Sequence, residues 1–96
     1  MSIELSEFDP ADYLDSPEAQ AEYITAAMET LDTKHIARAL GDVARARGMA
    51  EVAENAGITR EGLYKSLSEK GDPRLSTLVG VLKALDLKIT AKHRNL

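Results

Sequence analysis

The 96-residue sequence has no cysteine, no tryptophan, one phenylalanine and three prolines. Without cysteine, a structural disulfide, a thiol nucleophile and a cysteine-based zinc site are all excluded. So few aromatic residues require an aliphatic core. The first 32 residues contain no Lys or Arg at all. The stretch from Met1 to Asp15 therefore lacks the basic flank of a signal peptide, and it lacks the apolar stretch as well. Long apolar runs are also missing. The most apolar window, Leu75 to Leu87, is interrupted by Lys83 and Asp86 and is too short to span a bilayer. A cytoplasmic location is the expectation, in keeping with the absence of cysteine.

What is present is Ala, Leu, Val and Ile in quantity, which favours an all-α fold. The length suits one compact domain. The formal net charge of −4 argues against nucleic acid, but the average hides a split. Met1 to Asp32 holds nine acids and no base, a net −9, whereas Thr33 to Leu96 has twelve bases and seven acids, a net +5. Such asymmetry suggests two surfaces with different partners. The acidic part either keeps a small protein soluble or covers a basic surface on a partner.

The sequence divides into an acidic segment, 1–32, with one helix packed on the body, and a body, 33–96. Ser16-Pro17-Glu18 is a helix start, with Ser as N-cap, Pro at the first helical position and an acid in the first turn. Tyr23, Ile24, Ala27, Met28 and Leu31 follow one face of that helix. Just before it, Tyr13 and Leu14 are expected to dock on the body. Asp32-Thr33 ends the first helix and caps the next, whose face is Ile36, Leu40, Val43 and Ala44. Arg45 and Arg47 suit the second helix's C-terminus, and Gly48 the position past it. Two short helices follow, Met49 to Asn55 and Thr59 to Ser68. After the break at Gly71-Asp72-Pro73, Ser76 caps a helix with Leu75, Leu78, Val79, Leu82 and Leu85 on one face. From Leu87 to Lys92 the period changes to two, which predicts a short strand. That strand would pair with another copy, add to a partner's sheet or stay a loose tail.

The pair of short helices meets the demands of a helix-turn-helix unit spanning about Met49 to Ser68. Ala53 is small where the second helix crosses closely. Gly57, four residues later, tolerates a positive φ. Ile58 plugs the gap between the helices. Val52, Ala56, Leu63, Ser66 and Leu67 form the buried sides, and Thr59 caps the second helix. A random amphipathic helix pair would satisfy one or two of these demands; the rival reading is an ordinary helical hairpin with the same spacing. In such a unit the second helix enters the DNA major groove. Its outward residues are Arg60, Glu61, Tyr64, Lys65 and Ser68, with Thr59 at its start. Arg60 and Lys65 can read guanine edges or grip phosphate. Glu61 can accept from cytosine or pair with Arg60 or Lys65. Tyr64 can donate to phosphate or lie on a thymine methyl. Lys70 and Arg74 flank the helix as phosphate contacts, which set register without reading sequence. Gly62 costs that helix ~1 kcal/mol relative to Ala.

At these residues the chain resembles the addiction-module antidote proteins, small bacterial antitoxins of the Cro/phage-repressor-like helix-turn-helix class. The runs Arg45 to Met49, Ala56 to Ser68 and Gly71 to Leu78 carry the resemblance. So do Asp9 to Leu14, Ala39 to Asp42 and Leu82 to Lys88, so it covers nearly the whole chain. It implies a five-helix repressor-like domain, here with an N-terminal helical extension and a short C-terminal strand. It also implies a RelE/ParE-like toxin partner and repression of the chain's own operon. As a repressor the chain would act as a homodimer on a palindromic double-stranded operator.

Signs of catalysis or cofactor binding are lacking. His35 and His93 stand far apart, and no metal-ligand spacing, phosphate-binding glycine loop or nucleophile motif occurs. The carboxylates are spread along helix faces. The expected function is a DNA-binding antitoxin, not an enzyme, with no cofactor and no membrane contact. The alternatives are a free-standing phage-type regulator, or a protein-interaction module that has lost DNA binding.

Overall fold

The computed structural model describes residues 9–94, so the acids Glu4 and Glu7 lie outside the described residues. A short 3-10 turn, Pro10–Tyr13, precedes five α-helices: α1 Pro17–Thr30, α2 Thr33–Arg47, α3 Met49–Ala56, α4 Arg60–Ser66 and α5 Leu75–Ala84. The chain is therefore all-helical. Among the described residues five is the total including the N-terminal helix, not five with an extra one in front, and the body from Thr33 onward has four. Leu85 and the left-handed Asp86 (φ 57°) close α5, and no described residue after them is helical.

The expected strand Leu87 to Lys92 is absent. Among the described residues there is no strand at all, so this segment has no neighbour to share a ladder with. After the Leu87 N–H, which donates to the Leu82 carbonyl at 2.9 Å, residues 88–94 make no backbone hydrogen bond among the described residues.

Local chemistry sets the helix ends. Ser16 Oγ accepts from Ala19 N–H at 3.1 Å, and Asp32 Oδ1 accepts from Lys34 N–H at 3.0 Å. These are the caps read from the sequence. The start of α5 differs: its N-cap is Arg74, without a side-chain hydrogen bond, and Ser76 lies inside the first turn.

α2 is the central helix. Leu40, Val43 and Ala44 are fully buried, as the periodicity predicts, and Ala37, Ala39, Gly41 and Asp42 are buried too. α1 and α3 flank it, and α5 lies against α3. Four expected positions are more exposed than predicted. Leu14 is buried, but its neighbour Tyr13 is 66% exposed. Leu31 ends α1 in a left-handed conformation (φ 56°) and is turned out of the core. On α5 the buried residues are Val81, Leu82 and Leu85, whereas Leu75 and Val79 are exposed. α5 is rotated because Gly80 seats it on α3: a Cβ there would lie 3.3 Å from the Ala56 carbonyl oxygen.

Two polar clusters join the elements. Asp42, buried on α2, accepts from the Tyr23 hydroxyl at 2.5 Å and from Arg45 Nη2 at 3.0 Å. The same guanidinium nitrogen reaches Asp9 at 2.6 Å. Two residues further along α2, Arg47 Nη1 donates to the Leu85 carbonyl at 2.9 Å and to Gln20 Oε1 at 3.4 Å. The buried Gln20 donates in turn to the Leu14 carbonyl at 2.9 Å. Arg45 and Arg47 thus cross-link helices and do more than decorate a helix C-terminus. Their spacing from Gly48 shows only that they lie in the last turn, so the sequence gives no hint of these partners.

Candidate nucleic-acid interface

α3 and α4 are joined by a three-residue turn, Gly57-Ile58-Thr59. Gly57 is left-handed (φ 77°, ψ 28°), a conformation that costs an ordinary L-residue about 1–2 kcal/mol. The Ile58 N–H donates to the Ala53 carbonyl at 3.0 Å, closing α3 in a Schellman-type cap. That bond turns the Ile58 side chain against the core beside α3. Ala53, Val52, Leu63 and Leu67 are buried, Leu63 completely. Val52, Ala53, Leu63 and Leu67 are thus buried where the spacing selects them, whereas Ala56 and Ser66 are only half-buried and Met49, which the spacing did not select, is buried.

Thr59 Oγ1 accepts from the Gly62 N–H at 2.9 Å. A Cβ on Gly62 would lie 3.0 Å from that same oxygen. This contact gives a reason for a glycine inside α4: it makes room for the cap. The Thr59 hydroxyl is thereby committed to the α4 backbone. Ser68 Oγ is likewise committed, donating to the Lys65 carbonyl at 2.9 Å.

Thr59, Arg60, Glu61, Tyr64, Lys65, Ser68, Lys70 and Arg74 are all exposed. At 100° per residue, Arg60, Glu61, Tyr64 and Lys65 share one side of α4, away from the buried Leu63, and Ser68 follows just past its end. The Arg60 guanidinium carbon lies 5.7 Å from the centre of the Tyr64 ring, in cation–π range. The two side chains, one turn apart, hold each other over the surface of α4.

Among the described residues, no ion pair within 4.0 Å engages Arg60, Lys65, Lys70 or Arg74. Glu61 therefore pairs with neither Arg60 nor Lys65 at that distance. The stretch 59–74 holds these four cations and three acids, Glu61, Glu69 and Asp72, a net +1. Such a face can offer cationic hydrogen-bond donors to anionic oxygens without a strongly positive field behind them.

The charges of the Asp42 cluster face one another. The Asp9 carboxyl is held below its ordinary range, first by the Ala11 N–H and then by Arg45. Burial opposes the charge on Arg45, but Asp9 and Asp42 outweigh it and raise its pKa. Burial, reinforced by the Asp42 carboxylate, pushes the Tyr23 phenol up to about 12. Among the described residues, no group of three or more His, Cys, Asp or Glu is placed to hold a metal ion, and no helix is long and apolar enough to cross a membrane.

Comparison with known proteins agrees with the resemblance read from the sequence. An uncharacterized protein of Haemophilus influenzae is 44% identical over 93 residues, covering 97% of this chain and 96% of that protein. No solved structure matches the chain. A family model described as probable addiction module antidote protein matches residues 4–93. The chain belongs to that family of addiction module antidotes.

Proposed function

We propose that this chain is the antitoxin of a bacterial type II toxin–antitoxin module, neutralising a RelE/ParE-like toxin and repressing its own operon. DNA binding falls to the repressor-like α3–turn–α4 unit, with α4 in the major groove of a palindromic operator bound by a dimer. The protein works in the cytoplasm, where operon and toxin are, and it is not an enzyme. One observation carries the DNA-binding part. The groups on the outer side of α4 are exposed and, among the described residues, no ion pair within 4.0 Å engages Arg60, Lys65, Lys70 or Arg74, while Gly57, Ile58 and Leu63 fix the helix from behind. Arg60 and Lys65 read base edges, and Lys70 and Arg74 hold phosphate. The family supports the toxin partner.

Gel retardation at low salt, with the DNA upstream of the chain's own reading frame, tests the proposal. Arg60→Ala and Lys65→Ala each weaken operator binding, by about 1–3 kcal/mol if the contact is a bidentate base contact. If neither changes the affinity, α4 does not read the operator. The near balance of charge over 59–74 favours a second reading, a protein-interaction module that neutralises its partner without DNA. In that case the wild-type chain retards no DNA, yet rescues growth when co-expressed with the adjacent frame.

A further inference from the structure

Arg45 and Arg47 are held through their N–H groups. Arg45 donates to the carboxylates of Asp9 and Asp42, and Arg47 to the Leu85 carbonyl and Gln20. Donors spent on acceptors inside the chain are not open to a ligand. Arg60 is held differently. Its guanidinium carbon lies over the Tyr64 ring, 5.7 Å from the centroid, and among the described residues no hydrogen bond or ion pair engages its side chain. A ring attracts a cation through its π face and takes up none of the donors in a hydrogen bond to a lone pair. It restrains the guanidinium and leaves the planar donor fork open.

The Tyr64 ring has no other work to do in the fold. Tyr64 is 45% exposed, so the ring does not fill the core. Lys65, on the same side of α4, has no such support: among the described residues neither a ring nor an ion pair engages it. The two cations of this face therefore differ, one ordered in advance and one free. A bidentate fork on the side of a helix that faces base edges matches the O6 and N7 acceptor pair of guanine. A side chain already ordered gives up less freedom when it binds.

We propose that Tyr64 is a positioning residue, whose ring holds the Arg60 guanidinium ready, with its donors free, for the O6 and N7 of an operator guanine. This rests on the operator contact proposed for α4. It gives Tyr64 to Arg60 in place of a phosphate or a thymine methyl. The ring then adds to affinity only through Arg60.

Two measurements on the full chain test it, with circular dichroism confirming that each variant folds. In NMR spectra without DNA, the ring current moves the Arg60 Hδ protons upfield; Tyr64→Phe keeps that shift and Tyr64→Leu removes it. In gel retardation with the DNA upstream of the chain's own reading frame, 7-deazaguanine, which lacks the N7 acceptor, replaces each guanine in turn. The wild type is sensitive to the replacement of at least one guanine in each half-site, and Arg60→Ala is not. Tyr64→Leu weakens operator binding about tenfold and loses that sensitivity, whereas Tyr64→Phe behaves as the wild type. In an Arg60→Ala background Tyr64→Leu has no further effect. An equal loss in that background overturns the proposal, since the ring then acts without Arg60. So does a loss shared by Tyr64→Phe, which would give the hydroxyl to phosphate, or a wild type sensitive to no guanine. If the wild type retards no DNA, the operator reading falls and takes the role of Tyr64 with it, even where the upfield shift is present. If it retards DNA but shows no upfield shift, only the role of Tyr64 falls.

Discussion

Asp42 is a carboxylate in the core of a domain with few polar groups inside, and it is kept there by Tyr23 of α1 and by Arg45, one turn along its own helix. Removing one partner leaves a buried charge under-satisfied, which costs more than the bond alone suggests. Tyr23→Phe is expected to lower stability by about 1.5–3 kcal/mol, the range for a hydrogen bond to a charged group. Urea unfolding followed by circular dichroism measures it. The Tyr23 phenol, raised from 10.0 to about 12, also sets an alkaline limit. A raised folded pKa means stabilisation that is complete below pH 10 and lost as pH rises through about 12. The wild type therefore loses stability in that window and Tyr23→Phe loses less, so the gap between their melting temperatures narrows as pH rises. A gap independent of pH would show that the phenol proton is not part of the cluster.

Among the elements, the seat of α4 on α2 bears most on function. A Cβ on Gly41 would lie 2.9 Å from the carbonyl oxygen of Leu67, just past the end of α4. Gly41→Ala must push α4 off its seat. It is expected to cost about 1–3 kcal/mol, the usual cost of overpacking. Operator affinity should fall too, although residue 41 is buried and far in sequence from the exposed side of α4. Thermal melting and gel retardation on one sample check both; unchanged melting would mean that the helices can separate freely. This contact is not legible in the sequence, where Gly41 stands mid-helix with no turn to explain it. Other parts are legible because they obey local rules. The caps of α1 and α2, the left-handed Gly57 and the buried Ala53, Leu63 and Leu67 follow from spacing and backbone chemistry alone. The rotation of α5 and the exposure of Leu31 depend on which neighbour lies where. Period-two spacing in Leu87–Lys92 records a pattern but supplies no partner strand, and so the strand failed to form. For the candidate site, the exposure of all eight residues agrees with the periodicity. The Thr59 cap is legible as well, whereas the bond from Ser68 to the Lys65 carbonyl does not follow from the spacing.

At the scale of the whole molecule, opposite charges occupy different elements: carboxylates on α1, and beside α4 and on 87–94 cations that no ion pair among the described residues engages. Each phosphate contact releases about 0.9 counterion on duplex DNA, so affinity falls on a log–log salt plot. Lys70→Ala, which removes a phosphate contact, is expected to lower the slope by about 1 per protomer and to weaken operator and unrelated DNA alike. Arg60→Ala should instead reduce the preference for the operator over unrelated DNA. Binding isotherms on both DNAs across a salt series separate the two roles. A Lys70→Ala effect confined to the operator would make Lys70 a reader of bases.

The carbonyls of Leu14 and Leu85, at the two extremities of the folded body, are both held by one relay, Gln20 and Arg47. The relay works as a clasp. The chain's first anchored turn and its last cannot be peeled away separately, because loosening either strips a bond from the guanidinium or amide that secures the other. Proteolysis is therefore expected to release both extremities together, and limited digestion followed by mass spectrometry checks it.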